Sequence, residues 1–177
     1  MILVTGSSGH IGNVLVRKLI ERGERIRVMT KTGEKPEWLS HLELEVLKGD
    51  LRHADEVNSA VKGVKYVFHL AGIISISSFD SKELNDVNVQ GTQHVLDACI
   101  AHGVERLVYT SSVHALPEGT HGIPITEESD FNGQDLFGAY ARTKAAATKK
   151  VFESVEKGLD AVVCFPSGVM GPHDYRG

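Results

Sequence analysis

Residues 1–12 read MILVTGSSGHIG. The first five are apolar or β-branched, which suits a buried strand. Glycines then fall at 6, 9 and 12, at the mouth of the amphipathic stretch GHIGNVLVRKLIERG. A glycine loop is a weak signal by itself, but directly after a strand and before a helix it gains a physical role. Gly6 would permit the tight turn, Gly9 would let the backbone approach a pyrophosphate, and Gly12 would let helix pack close on strand. Ser8, His10 and Ile11 complete a loop whose free N–H groups, at the positive end of the helix dipole, would face phosphates. The competing reading is a tight strand-to-helix turn with no ligand.

The same alternation continues along the chain. Strand candidates are MILVT (1–5), RIRVMT (25–30), LEVLKG (44–49), KYVFHLA (65–71), RLVYTSS (106–112) and DAVVCFP (160–166). Helical patterns lie between them at 9–23, 54–63, 81–103 and 138–158, ending at Gly23, Gly63, Gly103 and Gly158 as a C′ position favours. Near-continuous apolar strands alternating with helices predict an α/β fold with a parallel sheet covered on both faces. Right-handed crossovers make that a doubly wound, three-layer α/β/α arrangement of the Rossmann kind. The stretch 113–137, VHALPEGTHGIPITEESDFNGQDLF, breaks the rhythm. It is long, acidic and punctuated by Gly and Pro, and it would lie at the carboxyl end of the sheet, where open α/β folds bind ligands.

Composition narrows the partners. The chain has 177 residues, 41% hydrophobic and 24% charged, with net charge −4, and so has one domain's worth of ordinary globular sequence. No basic run exceeds two residues, which leaves a nucleic acid or an anionic membrane without an electrostatic footprint. No apolar run is long enough for a bilayer, and the start lacks the pattern of a signal peptide. Cys99 and Cys164 lie far apart without a CxxC, so a cytoplasmic location is expected. The nine histidines are scattered, with no HxxxH or HExxH, and no metal site is expected.

Cofactor choice would be made at the end of the second strand, where an acid reads the ribose 2′-OH of NAD and repels a 2′-phosphate. Here Thr30 stands in that place, followed by Lys31 and then Lys35 in VMTKTGEK. Losing an anion and gaining cations favours NADP, with NAD as the alternative.

One further pair carries chemistry. In YARTK, Tyr140 and Lys144 are four residues apart and share a helix face. With TGSSGHIG, GDL (49–51), YVFHLAG (66–72), NVQGT (88–92), VYTSS (108–112) and PSGVMGP (166–172) in that order, the chain resembles the extended short-chain dehydrogenase/reductase family, in its dihydroflavonol reductase-like branch. The resemblance implies a catalytic group of Ser112, Tyr140 and Lys144. It places Asp50 and Leu51 at the adenine, and Leu70, Ala71 and Gly72 beneath the adenosine ribose and pyrophosphate. Asn88 and Thr110 belong to matched segments on the cofactor side, while Pro166, Gly168 and Val169 would close over the nicotinamide. Tyr140 would exchange protons, its phenol brought down from about 10 by the lysine and the oxidised nicotinamide. Ser112 would hold the substrate oxygen and Lys144 the nicotinamide ribose. The implied reaction is hydride transfer between a nicotinamide and a small carbonyl or alcohol substrate.

Departures from the family pattern bear on the substrate. His10 replaces the aromatic or small residue often found in the loop. The VYG that commonly follows the serine in sugar-nucleotide epimerases, and the Asp-Glu pair of dehydratases, give way to Val113 and His114. Both shift weight from a nucleotide-sugar epimerase or dehydratase with retained NAD toward a carbonyl reductase; a non-catalytic dinucleotide sensor is a third reading. The family carries a long C-terminal substrate portion after the GP turn, whereas this sequence stops at GPHDYRG. It reads as a cofactor-binding domain with YxxxK over 1–177, whether a fragment, a natural truncation or a form served by its remaining loops. The resemblance also implies a homodimer through helices at about 80–102 and 139–157, with Val95, Ile100, Ala141, Ala145, Ala146 and Val151 as its apolar patch.

Overall fold

A computed structural model describes residues 1–74, 81–117, 124–127, 131 and 136–175. Much of the expected 113–137 loop therefore lies outside the described residues. Six strands, β1 (Ile2–Thr5), β2 (Ile26–Thr30), β3 (Glu45–Lys48), β4 (Tyr66–His69), β5 (Arg106–Thr110) and β6 (Ala161–Cys164), form one sheet in the order β3-β2-β1-β4-β5-β6. Every neighbouring pair is parallel, with Ile2 opposite Ile26 on one side and Tyr66 on the other. The order reverses between β1 and β4, which opens a crevice at the carboxyl ends of those two strands.

Helices α1 (His10–Glu21), α2 (Ala54–Val61), α3 (Ser81–Leu84), α4 (Gly91–Ala101) and α5 (Ala139–Glu156) cover the sheet. A π-helical segment, Asn85–Gln90, joins α3 to α4. Period-two alternation divides β1 between the layers. Leu3 packs into the core with Val95, Leu96, Leu107 and Val151, while Ile2 and Val4 pack with Val16 of α1 and with Val28 and Leu39. Gly23, Gly63, Gly103 and Gly158 follow their helices with positive φ, as their C′ positions led one to expect. Coverage is incomplete at the β6 edge, where alternate residues Val162 and Cys164 are exposed.

The helices anticipated for a dimer give a different surface from the one expected. Val95 and Val151 are buried in the main core, and Ala141 and Ala145 pack with Ala115 and Leu136, so all four are taken up inside the single chain. Of the six residues named for a patch, Ile100 is exposed and Ala146 half-buried, and the exposed neighbours include Asp97, Lys149 and Glu153. Among the described residues no helix is long and apolar enough to cross a membrane, and no cluster of three or more His, Cys, Asp or Glu side chains could hold a metal.

The segment after β6 returns across α1. The buried Asn13 side chain donates to the His173 carbonyl (2.9 Å), and His10 Nε2 donates to the Pro172 carbonyl (3.0 Å). Tyr175 stacks on Trp38 with ring centres 5.1 Å apart, and Arg17 ties Asn13 to the Trp38 carbonyl.

Candidate active site and dinucleotide cleft

Two cavities, of about 650 and 630 Å³, lie along the carboxyl ends of the strands and meet at Gly6, Gly9, Leu70 and Gly72. The glycine loop is their floor because of close backbone contacts. A Cβ on Gly6, whose φ is +73°, would come within 2.6 Å of Ala71 N, and one on Gly12 within 2.2 Å of the Gly6 carbonyl oxygen. Gly9 caps α1 with no side-chain hydrogen bond and no acidic residue in the first turn. The first-turn N–H groups and the dipole are thus left to an anion, a fit to a pyrophosphate.

The first cavity takes its walls from Ser8, Lys31, Asp50, Leu51 and Ala71, together with Trp38. Asp50 accepts from Arg52 Nε (3.0 Å) and Nη2 (2.6 Å) and from the Arg52 backbone N–H, and Lys31 Nζ lies 3.6 Å from the same carboxylate. The Arg52 hydrogen bonds hold the Asp50 carboxyl well below the usual carboxylate range. Lys35 also lines this cavity, but its Nζ is drawn to the Leu42 carbonyl, to which it donates at 2.7 Å. Its stem is long enough to reach a backbone acceptor that sequence spacing does not reveal. Thr30 Oγ1 donates to the Glu34 carbonyl (3.0 Å), and Glu34 and Glu37 also line this cavity.

The second cavity brings together Ser112, Tyr140 and Lys144, along with His10, Ile11, Gly12, Thr110, Pro166 and Val169. Two anticipated residues lie elsewhere. Gly168 does not line either cavity, although its neighbours Ser167 and Val169 do. Asn88 is buried behind the wall. It accepts from Ile73 N (2.9 Å) and donates to the Ile73 carbonyl and to Thr143 Oγ1, so it fixes the loop after β4 to α5. Its position inside the π-helical segment aims it inward.

Lys144 is 5% exposed, and its Nζ donates to the Thr110 carbonyl (2.6 Å) and lies 4.7 Å above the Tyr109 ring. Burial pushes its ammonium down to about 8. Among the protein's own groups, Lys144 does not lower the Tyr140 phenol as expected. Burial pushes it up, a hydrogen bond with Ser112 offsets part of that, and the Lys144 charge is turned toward the Thr110 carbonyl. With the protein's own groups alone, Tyr140 keeps its proton at neutral pH, the state a proton donor needs. Ser112 stands at the carboxyl end of β5 and accepts from the His114 backbone N–H at 3.2 Å.

Behind the site runs a buried relay that the sequence reading missed. Ala71 N–H donates to Thr5 Oγ1 (3.2 Å), and Thr92 Oγ1 donates to the Asn88 carbonyl (2.7 Å). His69, fully buried, bonds Thr5 Oγ1 through Nδ1 (2.7 Å) and Thr92 Oγ1 through Nε2 (3.0 Å). Since the Thr92 proton is already committed, Nε2 must donate, and in the neutral imidazole that burial favours Nδ1 then accepts from Thr5 Oγ1. Burial, with a smaller repulsion from Lys144, depresses its pKa from 6.5 to about 3.

That depression has a sign. As pH falls from 6.5 toward 3, the unfolded chain binds a proton that the folded one refuses, so stability should decline by up to about 1.4 kcal/mol per pH unit from this group. Urea unfolding of the parent and of His69→Gln across that range should show a shallower decline in the variant. Parallel pH dependences would mean that His69 is not held neutral.

The whole chain from residue 3 to residue 176 matches the model of the 3-beta hydroxysteroid dehydrogenase/isomerase family. The chain belongs to that family. It is 37% identical to sterol demethylase protein B of Methylococcus capsulatus, over 98% of this chain and 53% of the relative. It is 33% identical to a putative dihydroflavonol 4-reductase of Synechocystis, over 98% of this chain and 50% of the relative. A solved short-chain dehydrogenase/reductase superfamily protein from Agrobacterium tumefaciens, with bound NAD, superposes with a TM-score of 0.79 at 32% identity, over 92% of this chain and 48% of that one. The chain spans about half the length of the curated relatives it matches. These likenesses agree with the extended short-chain dehydrogenase/reductase resemblance and with the parallel six-stranded architecture.

Proposed function

We propose that this chain is the cofactor-binding and catalytic portion of an oxidoreductase that reduces a small carbonyl compound, or oxidises the matching alcohol, with a nicotinamide dinucleotide and preferentially NADP. The observation that carries this reading is that Ser112, Tyr140 and Lys144 line one cavity with the glycine loop. A dinucleotide held on the glycine loop would supply hydride to the carbonyl carbon. Ser112 holds the carbonyl oxygen, and Tyr140 delivers the proton that completes the alcohol. Lys144 would hold the nicotinamide ribose beside them. No carboxylate lines this cavity among the described residues, which favours a reductase over a dehydratase with an acidic pair. A full-length enzyme carrying this chain should consume NADPH with some ketone or aldehyde in a screen. Failure to bind either dinucleotide in calorimetry would sink the proposal.

The preference for NADP rests on Thr30 in the acid's place and on the exposed Lys31 ammonium at the same cavity. Lys31→Ala should weaken NADPH by about 1.5–3 kcal/mol, the range of a charge-assisted hydrogen bond, and leave NADH nearly unaffected. Calorimetric titration of both cofactors checks this. Equal affinities for the two in the parent, or a preference for NADH that survives the substitution, would overturn the NADP assignment and favour NAD.

A further inference from the structure

His114 occupies a place in the second cavity that the proposed reaction leaves without a task. Its backbone N–H bonds Ser112 Oγ, so the residue is fixed directly beside the group that would hold the carbonyl oxygen. Its ring meets the Tyr140 ring edge-on, with centres 6.4 Å apart. The imidazole is exposed and, among the described residues, makes no side-chain hydrogen bond.

Among the described residues the lining of the cavity includes Lys144, His10 and His114 but no carboxylate. Lys144 is committed to the Thr110 carbonyl, and His10 to the Pro172 carbonyl, with Asp174 3.8 Å away. His10 also stands at the glycine-loop end, where cofactor phosphates would gather. His114 stands at the opposite end, beside Ser112 and Tyr140. Its ring therefore adjoins whatever accompanies the carbonyl, not the cofactor, and carries a nitrogen able to donate.

We propose that His114 is a substrate-binding residue that reads a carboxylate carried by the substrate close to the reacting carbonyl, making an oxo acid the substrate class. This deepens the oxidoreductase reading and rests on it. A molecule that touches both rings across 6.4 Å must carry its two oxygen functions within a few bonds of each other. A carboxylate there accepts a charge-assisted hydrogen bond from the imidazole and meets no like charge among the described lining residues. A second neutral oxygen would gain less from the same donor.

The test compares acetoacetate with its neutral methyl ester, reduced by NADPH on the full-length enzyme. The parent should favour the acid in kcat/KM, and His114→Ala should lower the acid-to-ester ratio by about 10- to 100-fold. His114→Gln, which keeps a neutral donor, should fall between them. A ratio unchanged by His114→Ala overturns the proposal, since another group would then read the acid. An equal fall for both probes also overturns it, since the imidazole would then serve the reacting centre itself. If neither probe is turned over, their binding to the complex with NADP is compared by calorimetry, and absence of a His114-dependent preference for the acid overturns it likewise. Loss of dinucleotide binding in the parent would instead sink the oxidoreductase reading, and this inference with it.

Discussion

Tyr140→Phe should lower turnover by about 10²–10⁴-fold, the span of general acid catalysis, while leaving affinity for NADPH nearly intact. The substitution removes one oxygen and its proton and keeps the ring. That ring is half-buried at the start of α5 and meets the His114 ring edge-on, a contact that phenylalanine keeps. Because burial keeps the phenol protonated, the loss should be felt most in the reducing direction, in which Tyr140 donates. Ser112→Ala removes a hydrogen-bond donor to the developing alkoxide and should cost about 10²–10³-fold in turnover, also without loss of cofactor. Lys144→Ala should harm both properties, since that side chain bridges the Thr110 carbonyl and the proposed ribose contact. Steady-state rates and calorimetric titration on the same preparations separate the three. Wild-type rates in Tyr140→Phe would place the proton donor elsewhere.

The second large effect is expected in stability. Alanine is favoured over glycine in a helix by about 1 kcal/mol, so propensity alone predicts that Gly12→Ala strengthens α1. Sterics win. The new methyl would lie 2.2 Å from the Gly6 carbonyl oxygen and 2.8 Å from its carbon, and both belong to backbone that cannot swing aside. Overpacking of this kind costs about 1–3 kcal/mol and occasionally more, and here the upper end is expected, a fall in Tm of about 6–10 °C for a chain of this size. Gly9→Ala is the contrast. Its φ of −82° suits any residue and its Cβ would meet its nearest neighbour at 3.4 Å, so the fold should tolerate it. The methyl would nonetheless stand on the surface common to both cavities and weaken dinucleotide binding. Equal melting temperatures for Gly12→Ala and the parent would show that the loop does not hold α1 as closely as described.

What could be read from sequence was whatever depends on local spacing. Alternating apolar strands and glycine-terminated helices give the order of elements, and the crossover rule gives the topology. TGSSGHIG and YARTK come together because the first follows β1 and the second opens α5, both at the carboxyl edge of the sheet. Long side chains were harder. Lys35 and Lys31 look alike in VMTKTGEK and both line the cavity, yet Lys35 Nζ is drawn to the Leu42 carbonyl and Lys31 Nζ lies against the Asp50 carboxylate. Arg52 went unremarked, although its place two residues after Asp50 in GDLR permits the pairing seen. The direction of the Tyr140 shift was also beyond reach. It depends on how deeply the phenol is buried and on which way Lys144 turns, and neither follows from an i, i+4 spacing. His69 looked like an ordinary strand residue because its two threonine partners lie 64 and 23 positions away.

Trp38 is the single tryptophan of the chain. It lines the first cavity and stacks on Tyr175 of the segment that returns over α1. Its intrinsic fluorescence is therefore a built-in optical probe at one known place. Arrival of an adenine nucleotide should alter the emission without any label. Tyr175→Ala, by taking away the stacked ring, should shift the starting spectrum and separate movement of the returning segment from occupancy of the cavity.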